Sequence, residues 1–287
     1  MNPTKKRAGL KKVCLNLILL ISVSMAAPMR QMGQQSGAAQ PARGADSEYL
    51  TGATLWTQSS GEWRALAYQA YNFARILLDQ DLRRNRRRRM RRAVVVDIDE
   101  TVLDNSRYQA SLVREHKSYP QDWTAWVNRS EAAAVPGAIE FLNYAHQRGV
   151  RVFYVTNRKA IEKEGTRANL KKLGFPDVTD ETLIVRADTD ASSKEPRRRR
   201  IAQRYRIVLL IGDNLNDFAE VFEKTTVPER ISATDQSKAL FGTRFIMLPN
   251  PMYGDWENSV YEYNFKLTDA QKAERRRSLL KTVGGNP

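Results

Sequence analysis

The fold of this chain is decided by the stretch Ala93-Val94-Val95-Val96-Asp97-Ile98-Asp99-Glu100-Thr101. Its apolar run has no polar face, which predicts a β-strand buried on both sides, as in a parallel sheet. Asp97 and Asp99 follow at the carboxyl end of that strand, where open α/β sheets bind their ligands. Both side chains point the same way on an extended backbone, so their charges repel unless a cation or a shared proton intervenes. A turn carrying two solvated aspartates is the alternative.

Four more apolar runs alternate with predicted helices along the chain. The expected strands cover residues 93–96, 151–155, 183–186, 207–211 and 244–248. Strands that alternate with helices predict an α/β fold, here a three-layer, Rossmann-like, mostly parallel sheet. A small, mainly helical cap is expected from the N-terminal extension and from an insertion after the first strand, at 105–135.

The N-terminal extension is predicted to contain a long amphipathic helix from Ser60 to about Leu82. We expect one face of this helix to pack against the core, because its apolar residues recur at helical spacing. These residues are Leu66, Ala70, Phe73 and Leu77.

The chain begins with the features of an export signal. Basic residues precede position 13, an apolar run covers 13–23, and Ser24-Met25-Ala26 offers the small residues of a cleavage site. We therefore expect a signal peptide at 1–26 with cleavage near Ala26, and an exported protein that is periplasmic or secreted. Residues 27–46 are rich in Gln, Gly, Ala and Pro, and are expected to form a flexible leader to a domain at 47–287.

Cys14 is the one cysteine of the sequence. Once the signal is removed, the chain has no cysteine for a disulfide or a thiolate metal site. Because Cys14 opens the apolar run instead of following it, no lipid anchor is expected.

Much of the net charge of +15 lies in two arginine-rich blocks, at 83–92 and 197–200. Such blocks are typical of nucleic-acid or anionic-surface binding, or of solvated helix ends. We favour solvated helix ends because no aromatic residues interleave the arginines, as a platform for single strands requires. No obligate nucleic-acid partner is expected, and a positive field would attract small phosphorylated molecules in either case.

Four short motifs lie at or beyond the predicted strand ends. In chain order they are Asp97-Ile98-Asp99-Glu100-Thr101, Val155-Thr156-Asn157-Arg158, Ser192-Ser193-Lys194-Glu195 and Gly212-Asp213-Asn214-Leu215-Asn216-Asp217. With these motifs the sequence resembles the haloacid dehalogenase-like superfamily of phosphohydrolases. A lone DxDxT is moderately specific, whereas four motifs in order on the right elements are a strong signal.

Longer sequence runs extend this resemblance to one group of enzymes within the superfamily. These runs cover residues 96–106, 122–126, 134–138, 153–159, 212–218 and 246–250. The sequence is similar to the class C acid phosphatases, bacterial nonspecific enzymes that include the outer-membrane 5′-nucleotidase called lipoprotein e. The similarity extends from about Leu55 to the end, so residues 47–287 would form a phosphatase domain.

The resemblance implies a role for each motif residue, and the chemistry of phosphoryl transfer supports the same roles. Asp97 would attack phosphorus and form an aspartyl-phosphate, while Asp99 would protonate the leaving oxygen and then activate water. Mg²⁺ would be held by the carboxylates of Asp97 and Asp213 and by the backbone carbonyl of Asp99.

Three further residues would bind or orient the transferred group. Thr156 and Lys194 would hold the phosphoryl oxygens, and Asp217 would orient Lys194 or a metal-bound water. Helix capping by Thr156 or Asp217, and a surface position for Lys194, are the alternatives.

Aromatic residues carry the expected substrate preference. By resemblance, Trp123 and Tyr253 sandwich the base of a nucleoside monophosphate, and Asn157 contributes to substrate binding. Stacking tolerates any base, which fits a broad specificity. Core packing is the alternative for Trp123 and the expected role of Trp126 and Tyr108. The implied function is that of a metal-dependent acid phosphatase that hydrolyses phosphomonoesters, in particular 5′-nucleotides.

The sequence departs from the family pattern at two points. The outer-membrane members are anchored through a cysteine after the signal, which is lacking here, and Asn216 stands where an aspartate is often found, a change expected to matter little. Phosphotransfer to an acceptor, a storage or adhesion role on an inactive scaffold, and polyanion binding stay open as other functions. The inactive scaffold is disfavoured because Asp97, which such relatives tend to lose, is present.

Overall fold

The structure is a computed structural model that describes residues 47–84 and 90–284. The predicted signal peptide at 1–26 and leader at 27–46 lie outside the described residues, as does part of the first arginine block, at 85–89. Within the described part of the chain, no helix is both long and apolar enough to cross a lipid bilayer.

Strands and helices alternate along the described chain. The strands are β1 (Arg92–Val96), β2 (Leu103–Asp104), β3 (Ala133–Ala134), β4 (Arg151–Lys159), β5 (Leu183–Arg186), β6 (Arg206–Gly212) and β7 (Phe245–Met247). The helices are α1 (Thr51–Ser59), α2 (Gly61–Arg84), α3 (Ser106–Glu115), α4 (Trp123–Arg129), α5 (Ala138–Gln147), α6 (Lys163–Lys172), α7 (Glu195–Arg204), α8 (Val227–Gln236), α9 (Asp255–Val260) and α10 (Asp269–Ser278). All five predicted strands are present, and β4 continues beyond its expected end.

Five strands form one parallel sheet in the order β5-β4-β1-β6-β7. The chain runs from β1 outward through β4 to β5, and then returns to the other side of β1 with β6 and β7. Sheets of this kind bind ligands where the strand order reverses, at the carboxyl ends of the central strands. The expected α/β fold with a mostly parallel sheet is confirmed, and β2 and β3 form a separate antiparallel pair after β1.

The central strand β1 is buried on both faces, as its apolar run predicted. Val94 and Val96 belong to the core cluster formed with α2 and α5, whereas Ala93 and Val95 belong to the cluster formed with α7 and α8. The sheet therefore lies between two helical layers. Each fully buried valine of this kind stabilises the fold by about 1.5–3 kcal/mol.

The buried face of α2 differs from the prediction. Leu66 and Phe73 are 41% and 40% exposed, and the other two expected core residues are only partly buried. The helix instead buries Trp63, Ala67, Tyr71, Ala74 and Leu78. A shift of one residue turns a helix by about 100°, and the observed face buries two large aromatic side chains. The prediction was wrong because α2 carries apolar residues on two faces, between which periodicity does not choose.

Helices from the N-terminal extension and from the insertion lie side by side. Helix α1 packs against α3, and the short 3-10 turn Glu48–Leu50 contacts both. Helix α4 of the insertion packs against α6. These contacts match the arrangement expected of a small helical cap.

Candidate active site

Three acidic residues meet at the carboxyl ends of β1 and β6. Asp97 follows β1 directly, and its backbone N–H donates to the carbonyl of Ile211 in β6 at 3.0 Å. Asp213 follows β6, and Asp217 ends the 3-10 turn Leu215–Asp217. One carboxylate oxygen from each of Asp97, Asp213 and Asp217 lies within 4.8 Å of the other two. We call these three residues the acid cluster.

Lys194 supplies the positive charge beside the acid cluster. It precedes α7, and its ammonium contacts carboxylate oxygens of Asp97 and, at 2.6 Å, of Asp217. Its burial excludes the surface position that was the alternative for this lysine. Gly212 permits this close arrangement, since a Cβ there would collide with the Asp217 side chain. One ammonium among three carboxylates leaves excess negative charge.

Burial dominates the titration of the acid cluster. It raises the pKa of Asp97 to about 7, although Lys194 counteracts it. Burial also holds the pKa of Asp213, and that of neighbouring Glu100, well above the usual range. Burial opposes the charge on Lys194, but Asp217 and Asp97 outweigh this, so that the Lys194 pKa is raised. In the absence of a cation, Asp97 and Asp213 therefore retain protons at pH values where free carboxyls are ionised.

The residues present fit a divalent cation. Carboxylate oxygens are the hard donors that Mg²⁺ prefers. The Asp213 carboxylate is oriented by the hydroxyl of Thr101, which donates at 3.3 Å, and by the side-chain amide of Asn250, which donates at 2.8 Å. Such second contacts to a metal ligand are typical of metal sites.

Strand β4 brings Thr156 and Asn157 next to this site because it pairs with β1. Thr156 is fully buried, and its hydroxyl accepts a hydrogen bond from the backbone N–H of Arg158 at 3.1 Å. The helical segment after β4 is capped at Lys159, which excludes the helix-cap alternative for Thr156. For Asp217 the capping contact does exist, since its carboxylate accepts from the backbone N–H of Asn214 at 3.1 Å.

Asp99 faces the insertion and not the acid cluster. Its carboxylate accepts hydrogen bonds from the guanidinium of Arg158 at 2.7 and 3.0 Å, and from the side-chain amide of Asn105 at 2.9 Å. The side-chain oxygens that come together are thus those of Asp97, Asp213 and Asp217, and the expected metal contact of Asp99 involves its backbone carbonyl alone. Arg158 and Asn105 were not predicted as site residues, and their only signal in the sequence is that each lies in or next to one of the motifs.

A cavity of about 560 Å³ opens in front of the acid cluster. Its lining brings together most of the predicted site residues, which are Asp97, Asp99, Trp123, Asn157, Lys194, Asp213, Asp217 and Tyr253. Thr156 does not line it, because its side chain is fully buried behind this surface. Residues that are distant in the sequence therefore share one site.

Several aromatic residues also line the cavity, and we call three of them, Tyr119, Trp123 and Tyr253, the aromatic lining. The Trp123 ring makes edge contacts with Tyr108 and Tyr119 at centroid distances of 5.1 and 6.0 Å. The Arg158 guanidinium lies 5.4 Å from its centre. Tyr119 is 63% exposed and was not predicted as a site residue, because its only signal in the sequence is an aromatic side chain in a polar segment. Trp123 both packs and lines the cavity.

The second arginine block is divided between buried and exposed residues. Arg197 is buried and donates to the Thr156 carbonyl and the Asn157 side chain, each at 2.6 Å. Arg198 is buried and donates to the Asp217 carbonyl at 2.9 Å. The next two arginines are exposed. The prediction of a solvated helix end is therefore wrong for the first two, because they donate to backbone carbonyls next to the active site, those of Thr156 in β4 and of Asp217.

The parallel sheet, the acid cluster and its lysine define a phosphohydrolase of the haloacid dehalogenase-like class. A family profile for the HAD superfamily, subfamily IIIB (acid phosphatase), matches residues 20–256. The chain belongs to this family.

Solved structures agree with this assignment. The class C acid phosphatase from Bacillus anthracis is 43% identical, with a TM-score of 0.79, and the match covers 83% of this chain and 98% of that chain. The structure of the class C acid phosphatase from the same organism with tungstate bound matches at 42% identity and the same TM-score, with the same coverage.

Curated relatives match over a shorter range. The stem 28 kDa glycoprotein of Glycine max is 32% identical over 133 residues, which are 43% of this chain and 51% of the relative. A stem 31 kDa glycoprotein of Glycine max is 28% identical over 166 residues, or 55% and 58%. The chain thus spans about half the length of these curated relatives.

Proposed function

We propose that this protein is a Mg²⁺-dependent acid phosphatase that hydrolyses phosphomonoesters, preferably 5′-nucleotides, through an aspartyl-phosphate. One observation carries the proposal: buried Asp97 contacts Lys194 and lines a cavity that Trp123 and Tyr253 also line. The same cavity thus contains a nucleophile and an aromatic surface on which a flat leaving group can stack.

Asp97 is the nucleophile in this proposal. Its carboxylate oxygen forms a bond to phosphorus while the bond from phosphorus to the ester oxygen breaks. In this proposal Asp99, which lines the same cavity, leaves its ion pair with Arg158 and carries the proton that the departing oxygen takes up. It later takes a proton from the water that attacks the phosphorylated Asp97. The second attack releases inorganic phosphate and restores the carboxylate.

Lys194 and its neighbours bind the phosphoryl group. The Lys194 ammonium is held between Asp97 and Asp217, where it can also donate to a phosphoryl oxygen as negative charge develops on it. Asn157 is fixed by Arg197 and lines the cavity, ready to donate through its amide. Tungstate, which is bound in a structure of the Bacillus anthracis enzyme, is an oxyanion similar in shape to phosphate. This supports an oxyanion-binding site here.

Asp97 and Asp213 would hold Mg²⁺ through carboxylate oxygens that lie close together, with the backbone carbonyl of Asp99 as a third ligand. Asp217 would orient Lys194, which its carboxylate contacts at 2.6 Å. The ion would supply positive charge that offsets the crowded carboxylates and keeps Asp97 ionised.

The aromatic lining supports a nucleotide preference. Trp123 and Tyr253 offer flat surfaces to a base, and Tyr119 adds a third. Stacking of a base on one aromatic side chain contributes about 1–3 kcal/mol and depends little on base identity.

A panel of phosphomonoesters tests this function, with Mg²⁺ and with a chelator. Nucleoside 5′-monophosphates should have higher kcat/KM than glycerol phosphate, and chelation should abolish both activities. Equal rates for all esters would remove the nucleotide preference, and the absence of any hydrolysis would revive the inactive scaffold. Less free phosphate than nucleoside in the presence of an alcohol acceptor would indicate phosphotransfer.

We propose in addition that the chain is exported, with cleavage near Ala26, because its first 26 residues have the organisation of a signal peptide. Amino-terminal sequencing of protein recovered outside the cytoplasm should start near residue 27. A sequence that starts at Met1 would contradict the export proposal.

A further inference from the structure

A hydrogen-bond relay joins the loop after β6 to the loop that carries Tyr253. Asn214 and Asn216 lie in the first loop, and Asp255 begins α9 two residues after Tyr253. The side-chain amides of Asn214 and Asn216 both donate to Oδ2 of Asp255, at 3.2 and 2.8 Å. One carboxylate oxygen thus links two segments that are about forty residues apart in the sequence.

The other end of the relay is a buried cation. Arg230 of α8 donates through its two terminal nitrogens to the side-chain oxygens of Asn216 and Asn214, each at 2.9 Å, and also to the carbonyl of Phe222 at 2.6 Å. Burial lowers the pKa of Arg230, and Asp255 opposes this shift. Two amides therefore connect a buried guanidinium to a carboxylate, and each amide accepts from the first and donates to the second.

An amide at position 216 can both accept a hydrogen bond from Arg230 and donate one to Asp255. A carboxylate there could still accept from Arg230, but it has no hydrogen to donate to Asp255. It would also place two negative charges at hydrogen-bond distance from each other. The expectation that asparagine in place of aspartate matters little therefore does not hold for the contacts observed at this residue.

The loop that carries Tyr253 lies directly against this relay. Gly254 has φ +147, and a Cβ on it would lie 3.4 Å from the amide nitrogen of Asn214 and 3.1 Å from the Trp256 ring. The Trp256 indole N–H donates to the Tyr253 carbonyl at 3.2 Å. The carbonyl of Tyr253 is thus held by Trp256, and Asp255, two residues further on, is held by the relay.

We propose that Asn216, together with Asn214, Arg230 and Asp255, positions Tyr253 at the distance from the acid cluster that a nucleotide requires. The proposal rests on the proposed nucleotide preference and names the residues that set it. These are positioning residues, since they act through Tyr253 and not on the reacting atoms. An ester whose leaving group is too small to reach Tyr253 does not sense them.

The variant Asn216→Asp tests the relay with adenosine 5′-monophosphate and glycerol 2-phosphate as substrates. We expect its KM for the nucleotide to rise about tenfold, because the donor to Asp255 is lost, while kcat/KM for glycerol 2-phosphate stays within about twofold. Asn72→Asp makes the same change on the exposed side of α2 and should alter neither value.

Rescue separates positioning from a general loss of structure. Asp255→Asn alone should also raise the nucleotide KM. In the double variant, the amide introduced at 255 can donate to the carboxylate introduced at 216, which still accepts from Arg230, whereas Asn214 loses its acceptor at the former Oδ2. The double variant should therefore recover part of the loss, with a nucleotide KM below that of either single variant.

Two results would overturn the proposal: equal losses on both substrates in Asn216→Asp, or a double variant no better than the worse single variant. If the unaltered protein does not prefer the nucleotide, the proposed preference fails and the relay is tested by hydrogen exchange of the amides at 252–256. Faster exchange in both single variants, with recovery in the double variant, supports the relay, and unchanged exchange overturns it.

Discussion

The acid cluster and the aromatic lining belong to the same cavity but are built from different parts of the fold. The acid cluster stands on the ends of β1 and β6 in the centre of the sheet, and Lys194 ties Asp97 to Asp217. The aromatic lining comes from the insertion after β1 and from the loop after β7, and one of its residues, Tyr119, is 63% exposed.

This difference assigns the chemical step to the acid cluster and substrate selectivity to the aromatic lining. Charge stabilisation in phosphoryl transfer depends on groups that are fixed in advance in a dry site, which the ends of a packed sheet provide. Stacking on an aromatic surface needs area and little geometric accuracy, which loops can supply. We therefore expect changes in the acid cluster to affect turnover, and changes in the aromatic lining to affect KM.

Asp97→Asn should have the largest effect. We expect turnover to fall by at least about 10⁴-fold, because an amide cannot attack phosphorus, while the fold is retained since the shape is the same. Phosphate release from a nucleoside monophosphate measures this. Asp188→Asn, an exposed residue, is the matched control. Near-native hydrolysis by Asp97→Asn would show that the mechanism is wrong.

Removal of the metal should come next. With excess chelator we expect hydrolysis to fall by at least about 100-fold and to return when Mg²⁺ is added. Mg²⁺ should also raise the melting temperature of the unaltered protein but not that of Asp213→Asn, since a ligand that binds only the folded state stabilises it. Full activity in chelator, or an equal thermal shift in both proteins, would contradict the metal site.

The arginine block offers a comparison within a single helix. Arg197→Gln should lower kcat about 10- to 100-fold and destabilise the fold by about 2–4 kcal/mol, because it leaves buried acceptors unpaired. Arg199→Gln, with its side chain 68% exposed, should change stability by less than about 0.5 kcal/mol. Urea denaturation and initial rates measure both. Equal behaviour of the two variants would refute the division of the block.

Tyr253→Ala should act on KM. We expect the KM for adenosine 5′-monophosphate to rise about tenfold with little change in kcat, because stacking area is lost and the acid cluster is untouched. Tyr68→Ala, on the exposed side of α2, is the control. A fall in kcat equal to the rise in KM would mean that the two parts of the cavity are not separable.

A final effect concerns the pH dependence of the free energy of unfolding in the metal-free protein, and not catalysis. Burial raises the pKa of Asp97 from 3.8 to about 7, so the folded state keeps a proton that the unfolded chain has already released. This contribution to stability is complete below about pH 3.8 and is lost as the pH rises toward 7, by at most about 1.4 kcal/mol per pH unit. Urea denaturation with chelator, compared between the unaltered protein and Asp97→Asn, isolates it. Parallel pH profiles would contradict the raised pKa.

Much of the fold and part of the site could be predicted from local pattern. The apolar run before Asp97 has no polar face, and it forms the central strand. Asn157 in β4 and Asp213 after β6 line one cavity because parallel strands end at the same edge of the sheet. The position of Lys194 came from family resemblance, since a lysine in a charged loop carries no local sign of burial.

Other features escaped prediction because they depend on which partners the fold brings close. Helix α2 has two apolar faces, and only the packed sheet selects the one with Trp63 and Tyr71. In the sequence Arg197 cannot be distinguished from its neighbour Arg199, and only the fold brings the Thr156 carbonyl next to it. Asn216 was likewise expected from the sequence to be interchangeable with aspartate, but in the fold it contacts both Arg230 and Asp255.

The alternation of strands and helices, the buried central strand and the carboxylates at strand ends can be read from local sequence, because they follow from backbone periodicity and from the burial of apolar side chains. The pairing of buried charges, the direction of the Asp99 carboxylate and the contacts that hold Tyr253 depend on the complete fold. Those outcomes depend on hydrogen bonds between distant segments, whose distances no local pattern contains.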